Sequence, residues 1–173
     1  NIEHEFENRS VTEGLELAEH ICGDSTFAYG LAFAQAVEKI YKLEPSHSAQ
    51  YTRVIALELE RLYNHIGALA GLINDTGFSI ANSYLGALKE KVLRLNKIYF
   101  GHRYLRNVVK INGVTKLLAT DERLALGAAL QVIKQSFLEV IDLTLKHNTV
   151  LERFSATGYL SNHNAVLCSV SGL

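Results

Sequence analysis

The sequence predicts an all-α fold, a bundle of long antiparallel helices forming one domain over residues 1–173. Three observations carry this reading. The chain contains a single proline, Pro45. Apolar residues recur over long runs at alternating spacings of three and four, the period of one helix face. Strand signals, meaning short alternating runs bounded by turn residues, are nearly absent.

The first helix is expected from about Val11 to Ile21, with Ser10 or Thr12 as N-cap near Glu13. A hydroxyl followed three residues later by a carboxylate satisfies two free backbone amides at once. Gly23 breaks this helix, and Asp24 is suited to cap a second one from Ser25 to about Lys42. Residues 22–25 therefore fall at a helix-turn-helix junction. The third helix starts after Pro45, with Ser46 or Ser48 as cap, and continues to about Asn74. Ile55, Leu59, Leu62, Ile66, Leu69 and Ile73 form its bundle seam. Glu58, Arg61 and His65 make a second stripe that reads either as an internal polar network or as a solvated face.

Asp75-Thr76-Gly77 closes the third helix, and a fourth runs from about Ser79 to near Tyr104 with Leu85, Leu88, Val92, Leu95 and Tyr99 as seam. The fifth spans about Asp121 to Lys146, capped by Thr120 or Asp121, with Leu126, Leu130, Ile133, Phe137 and Val140 inward. Three helices of about 25 residues joined by short turns pack as an antiparallel bundle. After Asn148 the pattern loosens: residues 155–158 read as a turn, residues 162–168 as one or two helical turns, and the end is expected to fray.

Apolar residues make up 48% of the chain, which excludes a disordered protein, and a formal charge of -1 argues against a generally basic nucleic-acid binder. No run of 18 or so uninterrupted apolar residues suggests a transmembrane segment. Two cysteines far apart fit a reducing compartment. The charge is unevenly placed. Residues 1–24 carry seven acidic groups and Arg9, whereas residues 89–116 carry eight basic groups against Glu90 alone. This pattern predicts docking of the basic segment onto an acidic neighbour, the amino-terminal segment included, or a solvated face. The chain begins at Asn1, has no Met and stops at Ser171-Gly172-Leu173, so the sequence reads as an excerpt of a larger subunit.

The motif with most chemical content is Glu19-His20-Ile21-Cys22-Gly23-Asp24-Ser25-Thr26-Phe27-Ala28-Tyr29. Cys22-x-x-Ser25 has the spacing of a metal-binding cysteine pair with one thiol replaced by a hydroxyl, and Cys168 is the only other cysteine. Soft metals want thiolates, and one thiolate is not a site. The seven histidines form no His-x-x-x-His pair. A chain without bound metal is expected. A helix N-terminus at Cys22 and Ser25 would lower a thiol pKa and orient a hydroxyl, or would serve as an ordinary cap. No glycine-rich nucleotide or phosphate loop is present.

This stretch resembles Glu-Arg-Ile-Cys-Gly-x-Cys-x-x-x-His in the large subunits of membrane-bound nickel-iron (NiFe) hydrogenases of the formate hydrogenlyase type and their homologue in respiratory complex I. The resemblance continues through Leu31 to Ile40, Arg53-Val54-Ile55, Leu57 to Ile66 and Asn74 to Phe78. Weaker echoes follow in Gly101-His102-Arg103, Ile111-Asn112-Gly113-Val114 and Thr157-Gly158-Tyr159-Leu160. The departures are informative: His20 stands at the arginine position, Ser25 at the second cysteine and Tyr29 at the histidine.

The resemblance implies a domain of an oxidoreductase subunit working in electron transfer within a membrane-attached complex. Its partners would be a small iron-sulfur subunit and membrane subunits, with a cytoplasmic location peripheral to the inner membrane. Metal-bearing relatives hold a nickel-iron centre on four thiolates, whereas the complex I relatives have lost the metal and help form a quinone cavity. By that analogy Cys22 is a vestigial ligand position, Ser25 and Tyr29 are candidate cavity residues, quinone is a candidate cofactor of the intact complex, and the chain by itself is inactive. The competing reading is a non-catalytic helical scaffold that positions partner subunits. An active site with unusual ligation would need a distant Cys-x-x-Cys pair and a tolerant Ser25.

Overall fold

Residues 1–170 are described by a computed structural model, and they fold as eight α-helices and one β-hairpin. Ser10 opens a helix as its sequence predicts. Its Oγ accepts the Glu13 N–H at 3.3 Å while the Glu13 carboxylate accepts the Ser10 N–H at 2.8 Å, a capping box. The helix it starts, α2 (Val11–Ala18), stops short of the expected Ile21, and a one-turn α1 (Ile2–Glu5) precedes it. Next come α3 (Thr26–Tyr41) and α4 (His47–Asp75), the latter capped by the Ser46 hydroxyl accepting the Ala49 N–H at 3.3 Å.

The fourth expected helix, α5 (Ser79–Phe100), terminates at Gly101 with φ +84°, before the expected Tyr104. Glycine adopts that left-handed conformation without a Cβ clash. The link to the next helix is not a short turn. Residues 101–119 contain a hairpin, β1 (Val109–Lys110) with β2 (Gly113–Val114), in which Val109 faces Val114 and Lys110 faces Gly113. These two-residue strands are too short to leave a periodic signature, so the sequence reading missed them.

The fifth expected helix, α6 (Thr120–Leu145), starts one residue earlier than expected. Its entry is held by Glu122, which accepts the Ala119 N–H at 3.0 Å, rather than by Thr120 or Asp121. Then follow α7 (Asn148–Phe154), a turn with Ala156 and Gly158 at positive φ, and α8 (Asn162–Leu167). The end, expected to fray, includes residues 171–173, which lie outside the described residues.

Packing follows the predicted seams. Leu59, Ile66 and Ile73 of α4 are buried together with Leu85, Leu88 and Val92 of α5, and Leu126, Ile133 and Val140 of α6 close the cluster. No run of 18 uninterrupted apolar residues occurs in α6, yet it is long and apolar enough to cross a membrane by length and composition alone. In this fold it packs one face on α5, while Gln131, Gln135, Glu139 and Asp142 are exposed at spacings of three and four along it.

Two close approaches seat α2 on α3. A Cβ at Gly14 would lie 2.7 Å from the Phe33 ring, and one at Gly30 would lie 3.0 Å from Glu19 Cγ. The hairpin is fixed by a buried ion pair. Arg53 of α4 donates to Glu38 of α3 at 2.6 and 2.9 Å and to the carbonyls of Lys110 and Gly113 at 2.8 and 3.0 Å. Glu38 also accepts the Asn112 N–H at 2.6 Å. Both charged groups are thus desolvated with their hydrogen-bonding capacity used, the condition under which a buried pair is tolerated.

Candidate functional site

The Cys22–Ser25 turn lies where α2 has ended and α3 begins, as the spacing predicts. Backbone bonds shape it: the Ser25 N–H donates to the Cys22 carbonyl at 3.3 Å, and the Tyr29 N–H to the Ser25 carbonyl at 3.1 Å. Ser25 and Tyr29 are therefore one helical turn apart on the same face. The Thr26 hydroxyl, fully buried, donates back to the Gly23 carbonyl at 3.2 Å. Cys22 and Ser25 are half-buried, and the Tyr29 ring is 42% exposed.

The expected cap is not the observed one. Ser25, not Asp24, is the N-cap residue of α3, and its side chain makes no capping bond. The Glu60 carboxylate of α4 takes the Phe27 N–H at 2.7 Å and the Ala28 N–H at 2.8 Å instead. Asp24 contributes its carbonyl, which accepts the Tyr63 hydroxyl at 2.9 Å and the Asn64 amide at 2.7 Å. Three residues of one α4 face thus grip both sides of the turn, donors to its carbonyl and an acceptor to its amides.

A second buried carboxylate anchors the turn's entry. Glu19 accepts the Asn107 N–H on both oxygens, at 2.9 and 3.1 Å, and Gly30 leaves room for its side chain. Burial pushes the Glu19 and Glu60 carboxyls above the usual carboxylate range, and the backbone amides they accept offset only part of that rise. Burial and the neighbouring Glu60 also drive the Tyr63 phenol far upward, so it stays protonated and remains a donor.

Glu58, Arg61 and His65 are not an internal network. All three are exposed, with Glu58 and Arg61 3.3 Å apart, and they form a solvated face. The internal polar residues lie between them on the sequence, at Glu60 and Tyr63. A pair three apart on the same helix was the only signal that could have found them, and Glu58 with Arg61 gives that signal equally well.

Nor does the basic segment form ion pairs with the acidic amino terminus among the described residues. Glu90 binds Arg103 at 2.6 and 2.7 Å and Arg94 at 2.9 Å, Lys116 binds Glu122 at 2.6 Å, and the link to the amino-terminal region is the Asn107 amide on Glu19.

The donors at the turn do not fit a nickel-iron centre. Cys22 supplies one thiol and Ser25 a hydroxyl, a poor ligand for soft metals. Among the described residues no three His, Cys, Asp or Glu side chains converge. What the turn does present is a hydroxyl, a phenol and a thiol at the amino end of a 16-residue helix. Two concave surfaces lie elsewhere, in apolar grooves beside α6. One of about 410 Å³ is lined by Tyr84, Leu88, Lys91 and Val140, and one of about 300 Å³ by Leu62, His65, Ile133 and Phe137.

No family model matches the chain. Individual proteins do. Membrane-bound hydrogenase subunit alpha of Pyrococcus furiosus is 25% identical over 145 residues, 84% of this chain and 34% of the relative. Formate hydrogenlyase subunit 5 of Escherichia coli is 26% identical over 144 residues, 83% of this chain and 25% of the relative. An NADH-quinone oxidoreductase subunit of Roseiflexus sp. is 32% identical over 150 residues, 86% of this chain and 40% of the relative. The chain thus spans less than half the length of these relatives.

Proposed function

From the membership of this chain in the hydrogenase-like family, which joins membrane-bound hydrogenase and formate hydrogenlyase subunits to their NADH-quinone oxidoreductase counterpart, we propose that it is a domain of an electron-transfer subunit. It works in a membrane-attached complex, on the cytoplasmic face, beside an iron-sulfur subunit and membrane subunits. In this reading Ser25 and Tyr29 line a cavity completed only in the assembly, and Cys22 marks the position of a lost ligand. The observation that carries the reading is the turn itself, in which a hydroxyl, Ser25, stands three residues after Cys22 while the backbone around it is held by buried hydrogen bonds.

Within this proposal the chain's residues supply shape and hydrogen bonds. Thr26, Glu60, Tyr63 and Asn64 fix the turn, and Ser25 and Tyr29 offer hydroxyls, one turn apart, to an oxygen-bearing electron acceptor such as a quinone. No step passes through a metal on this chain. Removing one hydroxyl without altering the backbone, Ser25→Ala or Tyr29→Phe in the assembled complex, is expected to raise KM for the acceptor about 5-fold, the worth of one hydrogen bond of about 1 kcal/mol. Unchanged KM in both variants would contradict the cavity role and favour a scaffold. The isolated 173-residue chain is expected to reduce no viologen dye with hydrogen above a blank.

A further inference from the structure

We propose that Glu60 is a positioning residue that caps α3 from another helix, releasing the Ser25 hydroxyl for a bound molecule. The inference deepens the cavity reading above and rests on it for the identity of that molecule, whereas the capping relation is tested by itself.

The first turn of a helix has backbone amides with no partner inside the helix, and the side chain of the N-cap residue normally accepts one of them. Ser25 is the residue type that does this. Ser10, Ser46 and Ser161 all do it at the starts of their own helices. Ser25 does not. Its backbone, at φ -122° and ψ 35°, departs from the extended conformation of the other three, whose ψ values lie between 151° and 160°.

The amides are satisfied by a group 33 and 32 residues away. Glu60 is 2% exposed and spends one oxygen on Phe27 and the other on Ala28. Holding an ionisable group there has a desolvation cost that a capping serine would avoid. What the arrangement gains is a position 25 side chain that is not engaged with backbone, on the same face as Tyr29. Tyr63 and Asn64 complete the grip by donating to the Asp24 carbonyl, so the turn is held without help from its own side chains at positions 24 and 25.

A double-mutant cycle on the 173-residue chain reads this division of labour. Ser25→Ala alone is expected to move the thermal midpoint by less than about 1 °C, against the roughly 2–4 °C that losing a working cap costs a domain of this size. In a Glu60→Ala background the hydroxyl is recruited to the vacant amides, and Ser25→Ala then lowers the midpoint by a further 2–4 °C or so. Ser25→Asp, a strong capping residue, is neutral in the parent chain and restores part of the loss in the Glu60 variant. Should Glu60→Ala fail to fold, Glu60→Gln, which keeps one acceptor oxygen, carries the same cycle. Additive effects overturn the proposal, whether Ser25→Ala is costly or neutral in both backgrounds. Because the readout is stability, it stands apart from whether the assembled complex transfers electrons through this turn.

Discussion

At the scale of single residues, the polar interior is divided between carboxylates of opposite character. Burial would raise Glu38, but the Arg53 guanidinium and the Asn112 amide outweigh it, and its pKa falls below the usual value. Glu38 therefore adds stability that is present above the unfolded carboxylate pKa of about 4.5 and lost as pH falls below it. The half-buried Glu90, drawn down to about 2 by Arg103 and Arg94, has the same sign. Glu19 and Glu60 have the opposite sign: raised by burial, they contribute stability that is present below the unfolded pKa and lost as pH rises through the folded one. The thermal midpoint, followed by circular dichroism, should accordingly peak in the weakly acidic range, and Glu19→Gln should flatten its decline towards neutral pH. A decline of the same steepness in that variant would count against the assignment. Truncating one partner of the buried ion pair, Glu38→Ala, should cost about 3–5 kcal/mol in chemical denaturation, because Arg53 is left charged and buried.

At the scale of elements, sequence and structure agree where packing is periodic and part where it depends on distant chain. The seams of α4, α5 and α6 were legible because every third or fourth residue is apolar. Ser10 and Ser46 were legible as caps because their partners lie three residues on. Asp24 was misread because the group that caps α3 comes from Glu60, and no local pattern announces a partner 33 residues away. The hairpin was missed for its brevity, although Asn112 at φ +62° and the following Gly113 are turn residues by chemistry. Two substitutions test the packing and the end of α3. Gly30→Ala gains about 1 kcal/mol of helix propensity but drives a methyl against the Glu19 stem, which Asn107 holds in place, so a net loss of about 1–2 kcal/mol is expected in urea unfolding. Lys42→Gly should do the reverse, raising stability by about 1 kcal/mol, since Lys42 ends α3 at φ +54° where an L-residue is strained.

For the whole molecule, the sequence made the family legible through the Cys22 motif and the stretches after it, and relatives at about a quarter identity over most of the chain bear that reading out. It left the candidate site half legible. Ser25 and Tyr29 do share one face at a helix junction, but the residues that hold them, Glu60, Tyr63 and Asn64, emerge only from the fold. For α6, whose length and composition fit a bilayer, the outward residues mix Gln131, Gln135, Glu139 and Asp142 with Leu124, Val132 and Leu145. The central claim is that the turn serves electron transfer as a metal-free cavity wall. The most direct test is to replace Cys22 and Ser25 together by alanine in the full-length subunit, confirm by size and subunit composition that the complex assembles, and measure electron flow to its acceptor. The account predicts a rate lowered about 5-fold or more with assembly intact, in keeping with the loss of at least one hydrogen bond. An unchanged rate in a fully assembled complex would contradict it.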